Sequence, residues 1–122
     1  MPRSPLEYLR HILDETEYLL SKREGLSKEQ FQRDATLMRA FVKSIEVIGE
    51  AARLVSEETR KRAPKIPWPL ITGMRHVLAH DYGAVDLDRV YDVVAHQLPD
   101  LLVHLHELIM ALEKDTGWKD EP

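Results

Sequence analysis

The chain has 122 residues, with 17 basic and 21 acidic side chains, a formal net charge of −4 and no cysteine. This length predicts one domain that buries about two-thirds of its surface on folding and needs no disulfide or metal to fold. The lack of cysteine excludes disulfide frameworks and thiol nucleophiles, and no apolar run reaches the roughly 20 residues of a membrane span. We expect a cytoplasmic protein.

Two capping boxes mark the starts of the first two predicted helices. Ser-Pro-Leu-Glu at positions 4–7 begins a helix with apolar residues at helical spacing, and Gly25 ends it. Ser-Lys-Glu-Gln at positions 27–30 begins a second helix, and its apolar pattern predicts one long amphipathic element that runs to about Thr59.

Prolines and an aspartate delimit the other two predicted helices. Prolines at 64, 67 and 69 interrupt the chain, and a third helix is predicted from about Trp68 to His80. Asp86 is expected to cap a fourth helix, which Pro99 should kink because proline removes one backbone hydrogen bond. No segment alternates with period two. The predicted fold is therefore all-α, an antiparallel bundle over residues 1–114 with a tail at 115–122.

One segment of this acidic chain has a net positive charge. From Thr59 to His80 there are five basic residues and no acidic one, which leaves 12 basic and 21 acidic residues elsewhere. A polyanion could bind there locally. Four of the basic residues precede the third helix and are candidate phosphate-binding residues: Arg60, Lys61, Arg62 and Lys65. The alternative is that they only complement the dipole at a helix C-terminus.

Candidate catalytic residues follow in the same segment. Arg75 offers a permanently charged fork for phosphate oxygens, and His80 can transfer a proton near neutral pH. Phosphodiester cleavage requires this combination. On an ideal helix the two residues lie about 140° apart, so either the helix ends before His80 or a second chain completes the site across a two-fold axis.

Two other interpretations of this segment remain open. His76 and His80 have the spacing of a metal-binding pair on one helix face, with Asp81 or a remote histidine as a third ligand. Alternatively, Arg75 and His80 only satisfy polar groups between helices.

The order of several short segments resembles a known family. Arg75-x4-His80-x-Tyr82 matches the R-x4-H-x-Y motif of HepT-like toxins, which belong to the HEPN superfamily. Further matching segments occur in the family's order at positions 45–52, 66–68, 71–75, 80–82, 85–87 and 98–99.

The resemblance implies a four- to five-helix HEPN bundle that forms a homodimer, with both motifs facing a shared cleft. It implies metal-independent endoribonuclease activity, in which Arg75 steadies the scissile phosphate and His80 serves as acid and base. It also implies a partner, a minimal nucleotidyltransferase antitoxin that adenylylates Tyr82. A bulky anion in the basic cleft would block RNA.

The resemblance gives weaker indications for three other residues. The family commonly has asparagine at the position of His76, which remains polar and is a candidate phosphate contact. Glu50 matches a family position and is expected to orient the motif helix, and Asp81 is a second candidate for a supporting role. Some HEPN relatives do not cleave RNA, so the alternative function is a nucleotide-binding or scaffolding module that binds the transferase.

Overall fold

Residues 4–74 and 86–116, with side chains as far as Lys114, are described by the structure, which is a computed structural model. These ranges contain seven helices: α1 (Pro5–Arg23), α2 (Lys28–Gln32), α3 (Ala35–Arg53), α4 (Glu57–Arg60), α5 (Trp68–Thr72), α6 (Leu87–His96) and α7 (Leu98–Thr116). Neither range contains a strand, so the predicted all-α class is confirmed. Within them, no helix is long and apolar enough to cross a bilayer.

Both predicted capping boxes are confirmed. The backbone N–H of Glu7 donates to Ser4 Oγ at 3.2 Å, and the Ser4 N–H donates to the Glu7 carboxylate at 3.5 Å. The N–H of Gln30 donates to Ser27 Oγ at 3.1 Å, and the reciprocal bond is 2.9 Å long. Between the two boxes, Gly25 has a φ of +74°, which turns the chain after α1.

The prediction of a single long second helix is wrong, because the chain breaks twice before residue 60. Asp34 accepts the N–H of Leu37 at 3.0 Å and begins α3. Ser56 accepts the N–H of Thr59 at 3.2 Å and begins α4. Short polar side chains compete with the helical backbone for N–H groups and therefore start new helices.

The third predicted helix also ends earlier than expected. α5 stops at Thr72, and the N–H of Met74 donates to the Ile71 carbonyl at 3.1 Å in a tight turn. The rest of the predicted helix lies in residues 75–85, outside the described residues.

The fourth predicted helix is interrupted instead of kinked. Asp86 caps α6 as predicted, accepting the N–H of Arg89 at 3.1 Å. The helix then ends at His96, and α7 begins at Leu98. Proline at position 99 has no N–H to donate to the carbonyl four residues earlier, so helical bonding cannot continue through it. The predicted tail overlaps the last two residues of α7 and otherwise lies outside the described residues.

One apolar core joins these helices. α1 packs against both α3 and α7, α5 packs against α3, and α6 packs against α7. The largest fully buried side chains are Leu6, Leu9, Ile12, Leu19, Phe31, Phe41, Ile45, Ile48, Ile66, Ile71, Met74 and Leu98. Because Ile71 and Met74 belong to this core, the chain reaches the predicted catalytic motif from a fixed position.

Candidate active site

Trp68 holds the segment between α4 and α5 against the core. Its side chain is only 6% exposed, and its indole Nε1–H donates to the carbonyls of Arg60 and Ala63, each at 3.2 Å. The guanidinium of Arg60 lies 5.7 Å from the centre of the indole ring, within the range of a cation–π contact. The backbone that carries the basic residues is thus tied to a buried ring.

Arg60 itself has a structural contact. Its Nη2 donates to the carbonyl of Ala52 at 2.9 Å, in the last turn of α3. A cation at this end of a helix is favourable for the helix dipole. The local interpretation offered for the basic residues therefore applies to Arg60, which is only partly exposed.

The other three cations before α5 are exposed. We call residues 61–65 the basic loop, with Lys61, Arg62 and Lys65 as its charged members. The chain has no carboxylate between Thr59 and His80. The basic loop therefore presents concentrated positive charge to solvent, which is suited to contacts with phosphate groups.

Glu50 lies near the C-terminal end of α3 and is exposed. Its carboxylate accepts a hydrogen bond from Arg53 one turn later on the same helix. This hydrogen bond and the charge of the carboxylate raise the pKa of the Arg53 guanidinium above its ordinary value. Glu50, the predicted supporting residue, also lies two positions before Ala52, whose carbonyl accepts the hydrogen bond from Arg60.

A cleft of about 230 Å³ opens beside the last described residue before the motif. The buried Ile71 and Met74 line it, and so does the exposed Lys65 of the basic loop. The complete lining is Lys65, Pro67, Leu70, Ile71, Met74, His96, Gln97, Asp100, Leu101 and His104. The residue that directly precedes the predicted catalytic motif, Met74, therefore lines the same cleft as Lys65, one of the candidate phosphate-binding residues.

Two histidines of this cleft carry no role in the predictions from sequence. His96 and His104 lie on different helices, α6 and α7, and are brought to the same cleft by the break at residue 97. His104 contacts Glu107 at 3.2 Å, whereas His106 faces α1 and lies 3.7 Å from Glu17. The available signal was the spacing of four residues that separates His96, Asp100 and His104.

The remaining predicted site residues lie outside the described residues. Arg75, His76, His80, Asp81 and Tyr82 all fall within residues 75–85. Their roles, and the alternative of a metal held by two of the histidines, stay predictions. Among the residues that are described, no cluster of three histidine or carboxylate side chains could hold a metal ion.

Comparison with known proteins adds evidence from the whole chain. Residues 7–108 match the model of the ribonuclease HepT-like family. "Putative RNase TTE0752" of Caldanaerobacter subterraneus subsp. tengcongensis is 38% identical over 107 residues, covering 88% of this chain and 96% of that protein. "Probable ribonuclease HepT" of Thermococcus cleftensis is 30% identical over 101 residues, covering 83% and 92%. "Putative RNase MJ1216" of Methanocaldococcus jannaschii is 29% identical over 122 residues, covering 99% and 98%.

These matches define the enzyme class, which is that of an endoribonuclease. The chain belongs to the ribonuclease HepT-like family, and the resemblance found in the sequence is confirmed. No solved structure matches the chain.

Proposed function

We propose that the chain is the toxin of a type VII-like toxin–antitoxin pair, an endoribonuclease that acts on RNA in the cytoplasm as a homodimer. The observation that carries the proposal is the exposed basic loop, which leads through the buried Met74 into the motif of Arg75 and His80. Family membership supports RNA as the substrate. The lack of carboxylates from Thr59 to His80 supports electrostatic attraction of the RNA phosphates.

In the proposed reaction the RNA supplies the nucleophile, and the protein supplies the proton-transfer group and the positive charge. The ribose 2′-hydroxyl attacks the neighbouring phosphorus, and His80 accepts its proton and returns one to the departing 5′-oxygen. The guanidinium of Arg75 balances the charge that develops on the phosphorane oxygens. Lys61, Arg62 and Lys65 bind flanking phosphates, and His76 provides a further polar contact. Because proton transfer and charge balance both come from side chains, the reaction proceeds without a metal ion.

Replacement of His80 tests the catalytic assignment. His80→Ala should lower the rate of RNA cleavage by about 10²–10⁴-fold, the usual contribution of a general acid–base group. Cleavage of a labelled RNA by the purified dimer is measured in excess chelator, where the wild-type rate should be unchanged. His11→Ala is the matched control, because His11 lies on α1, is partly exposed and does not line the cleft beside Met74.

The contrary results are equally specific. Cleavage at the wild-type rate by the His80→Ala protein would remove His80 from the mechanism. Loss of cleavage in chelator would instead favour the metal site of His76 and His80. Wild-type protein that cleaves no RNA but still binds a nucleotidyltransferase would establish the scaffolding alternative.

Neutralisation is proposed to act on Tyr82. A minimal nucleotidyltransferase encoded beside this chain transfers the adenylyl group of ATP to the phenol oxygen of Tyr82, with loss of the phenolic proton and release of pyrophosphate. The added anion occupies the basic cleft and repels RNA. Co-expression with that enzyme should raise the intact mass of the toxin by a whole number of adenylyl groups and abolish cleavage. Tyr82→Phe should cleave RNA and gain no mass. A mass increase in this variant would place the modification on another residue.

A further inference from the structure

The outward side of α3 carries an ordered stripe of charge. Two basic residues are followed by two acidic ones, and all four are exposed: Arg39, Lys43, Glu46 and Glu50. At 100° per residue these four positions lie within an arc of about 60° around the helix axis. They form the side of α3 that faces away from its buried residues.

An apolar groove runs beside this stripe. Met38 and Val42 on α3 and Leu87 at the start of α6 are half-buried, and together with Ala35 they line an open groove of about 520 Å³. The groove is also lined by Arg39, Lys43 and Glu46, so charged and apolar surface are continuous. An apolar centre with a charged border is the composition typical of a protein interface.

We infer that this face of α3 is the contact between two copies of the chain. The inference rests on the homodimer of the proposed function and identifies the surface that forms it. A two-fold contact uses the same patch on both copies, so the patch must be complementary to itself. An antiparallel second copy of α3 reverses the charge order, and the two basic positions then face the two acidic ones.

The position of the two-fold axis follows from this pattern. An axis that passes between Ser44 and Ile45 places Lys43 opposite Glu46 of the second copy. The same axis places Arg39 opposite Glu50 of the second copy, and each pairing occurs twice. A parallel arrangement would place like charges together, which disfavours it.

Present contacts of these side chains allow the rearrangement. Lys43 and Glu46 lie 3.9 Å apart on one helix, and Glu50 is paired with Arg53 one turn later. All four of these side chains are exposed, and such surface pairs are weak. Redirecting them across an interface therefore costs little.

The stripe also leads to the candidate active site. Glu50 lies two residues before Ala52, whose carbonyl holds Arg60 next to the basic loop. In the antiparallel pair, the two Glu50 positions are about 16 Å apart along the helix axes at 1.5 Å per residue. The contact therefore brings the C-terminal ends of the two α3 helices, each followed in sequence by a basic loop, near each other in the dimer.

Charge exchange at one contact tests the inference. Lys43→Glu and Glu46→Lys each place like charges opposite each other twice. Each variant alone should raise the dimer dissociation constant at least about tenfold. An equimolar mixture of the two variants restores both pairings, as does the double variant K43E/E46K, so both should dimerise like the wild type. Sedimentation velocity over a concentration series measures the association, and thermal unfolding checks the fold of each protein.

Lys114→Glu, at an exposed position on α7, is the control for a general change in net charge and should leave dimerisation unchanged. Single variants that dimerise like the wild type overturn the inference, and RNA cleavage by those variants shows that the proposed enzyme stands without it. Single variants that stay dimeric but lose the nucleotidyltransferase assign this face to the antitoxin and also overturn the inference. A wild-type protein that is monomeric while cleaving RNA removes both this contact and the homodimer of the proposed function.

Discussion

The turn between α1 and α2 depends on the backbone of a single residue. Gly25 has a φ of +74°, in the left-handed region that side chains disfavour. A β-carbon at this position would meet no heavy atom within 4 Å. The requirement for glycine is therefore conformational, because space for a side chain is present.

Replacement of Gly25 should separate these two effects. Gly25→Ala is expected to lower the free energy of unfolding by about 1–2 kcal/mol, the usual cost of a left-handed alanine. Gly25→Asn should lose less, since asparagine tolerates this conformation even though it is larger. Urea unfolding followed by circular dichroism measures both. An asparagine variant less stable than the alanine variant would show that side-chain volume limits this site.

Individual site residues were predictable to different degrees. The sequence identified Arg60 as a cation near a helix end, but its hydrogen bond to Ala52 depends on how α4 folds back on α3. Spacing alone did not predict that His96 and His104 line the same cleft. The direction of α7 relative to α6 depends on the backbone geometry of the break at residue 97. The sequence indicated the chemical type of each site residue, whereas the contacts between these residues depend on how the helices are arranged in space.

At the scale of elements, helix starts were more predictable than helix breaks. The two capping boxes and Asp86 are local signals, and all three appear in the structure. The apolar period continues through Asp34, because α2 and α3 on the two sides of that break contribute to the same core. Beyond Ser56 the only buried residue of α4 is the polar Thr59, so apolar spacing carries no information about that break. The spacing of apolar residues indicates which residues are buried. It therefore does not indicate a break in the helix when the residues on both sides of the break stay buried.

α2 shows how tertiary contacts support an element that is too short to be stable alone. A helix of five residues lies well below the length at which isolated helices form. Phe31 fixes it in the core, with ring centres 4.8 Å from Phe41 and 5.7 Å from Tyr91. On the surface, Lys28 lies 2.9 Å from Asp92 of α6. The hydrogen bond to this carboxylate raises the pKa of the Lys28 ammonium. Lys28 therefore stays charged, and the ion pair with Asp92 is kept, from neutral pH up to strongly alkaline pH.

At the scale of the molecule, the net charge of −4 conceals an uneven distribution. The acidic residues lie outside the segment from Thr59 to His80, whereas the basic loop in that segment is exposed. Long-range attraction and repulsion both act on a nucleic acid that approaches such a protein, and salt screens them. The local charge, and not the total, should therefore determine the affinity for RNA.

The salt dependence of RNA binding tests this expectation. Each phosphate that a cation neutralises contributes about 0.7 to the slope of log K against log salt for a single strand. Replacing Lys61, Arg62 and Lys65 by glutamine should therefore reduce the magnitude of the slope by roughly 2. Binding of a labelled single-stranded RNA is measured in the His80→Ala background, where cleavage does not consume the ligand.

A second triple variant separates local charge from total charge. Lys22, Arg33 and Lys114 are exposed and lie on or beside α1, α2 and α7, and replacing them by glutamine removes the same number of lysines and arginines. This control should keep the wild-type slope, because its cations lie outside the basic loop. Equal losses in the two triple variants would mean that total charge controls RNA binding and that the basic loop makes no specific phosphate contacts. A loss confined to the first variant would mean that its three cations meet RNA phosphates directly.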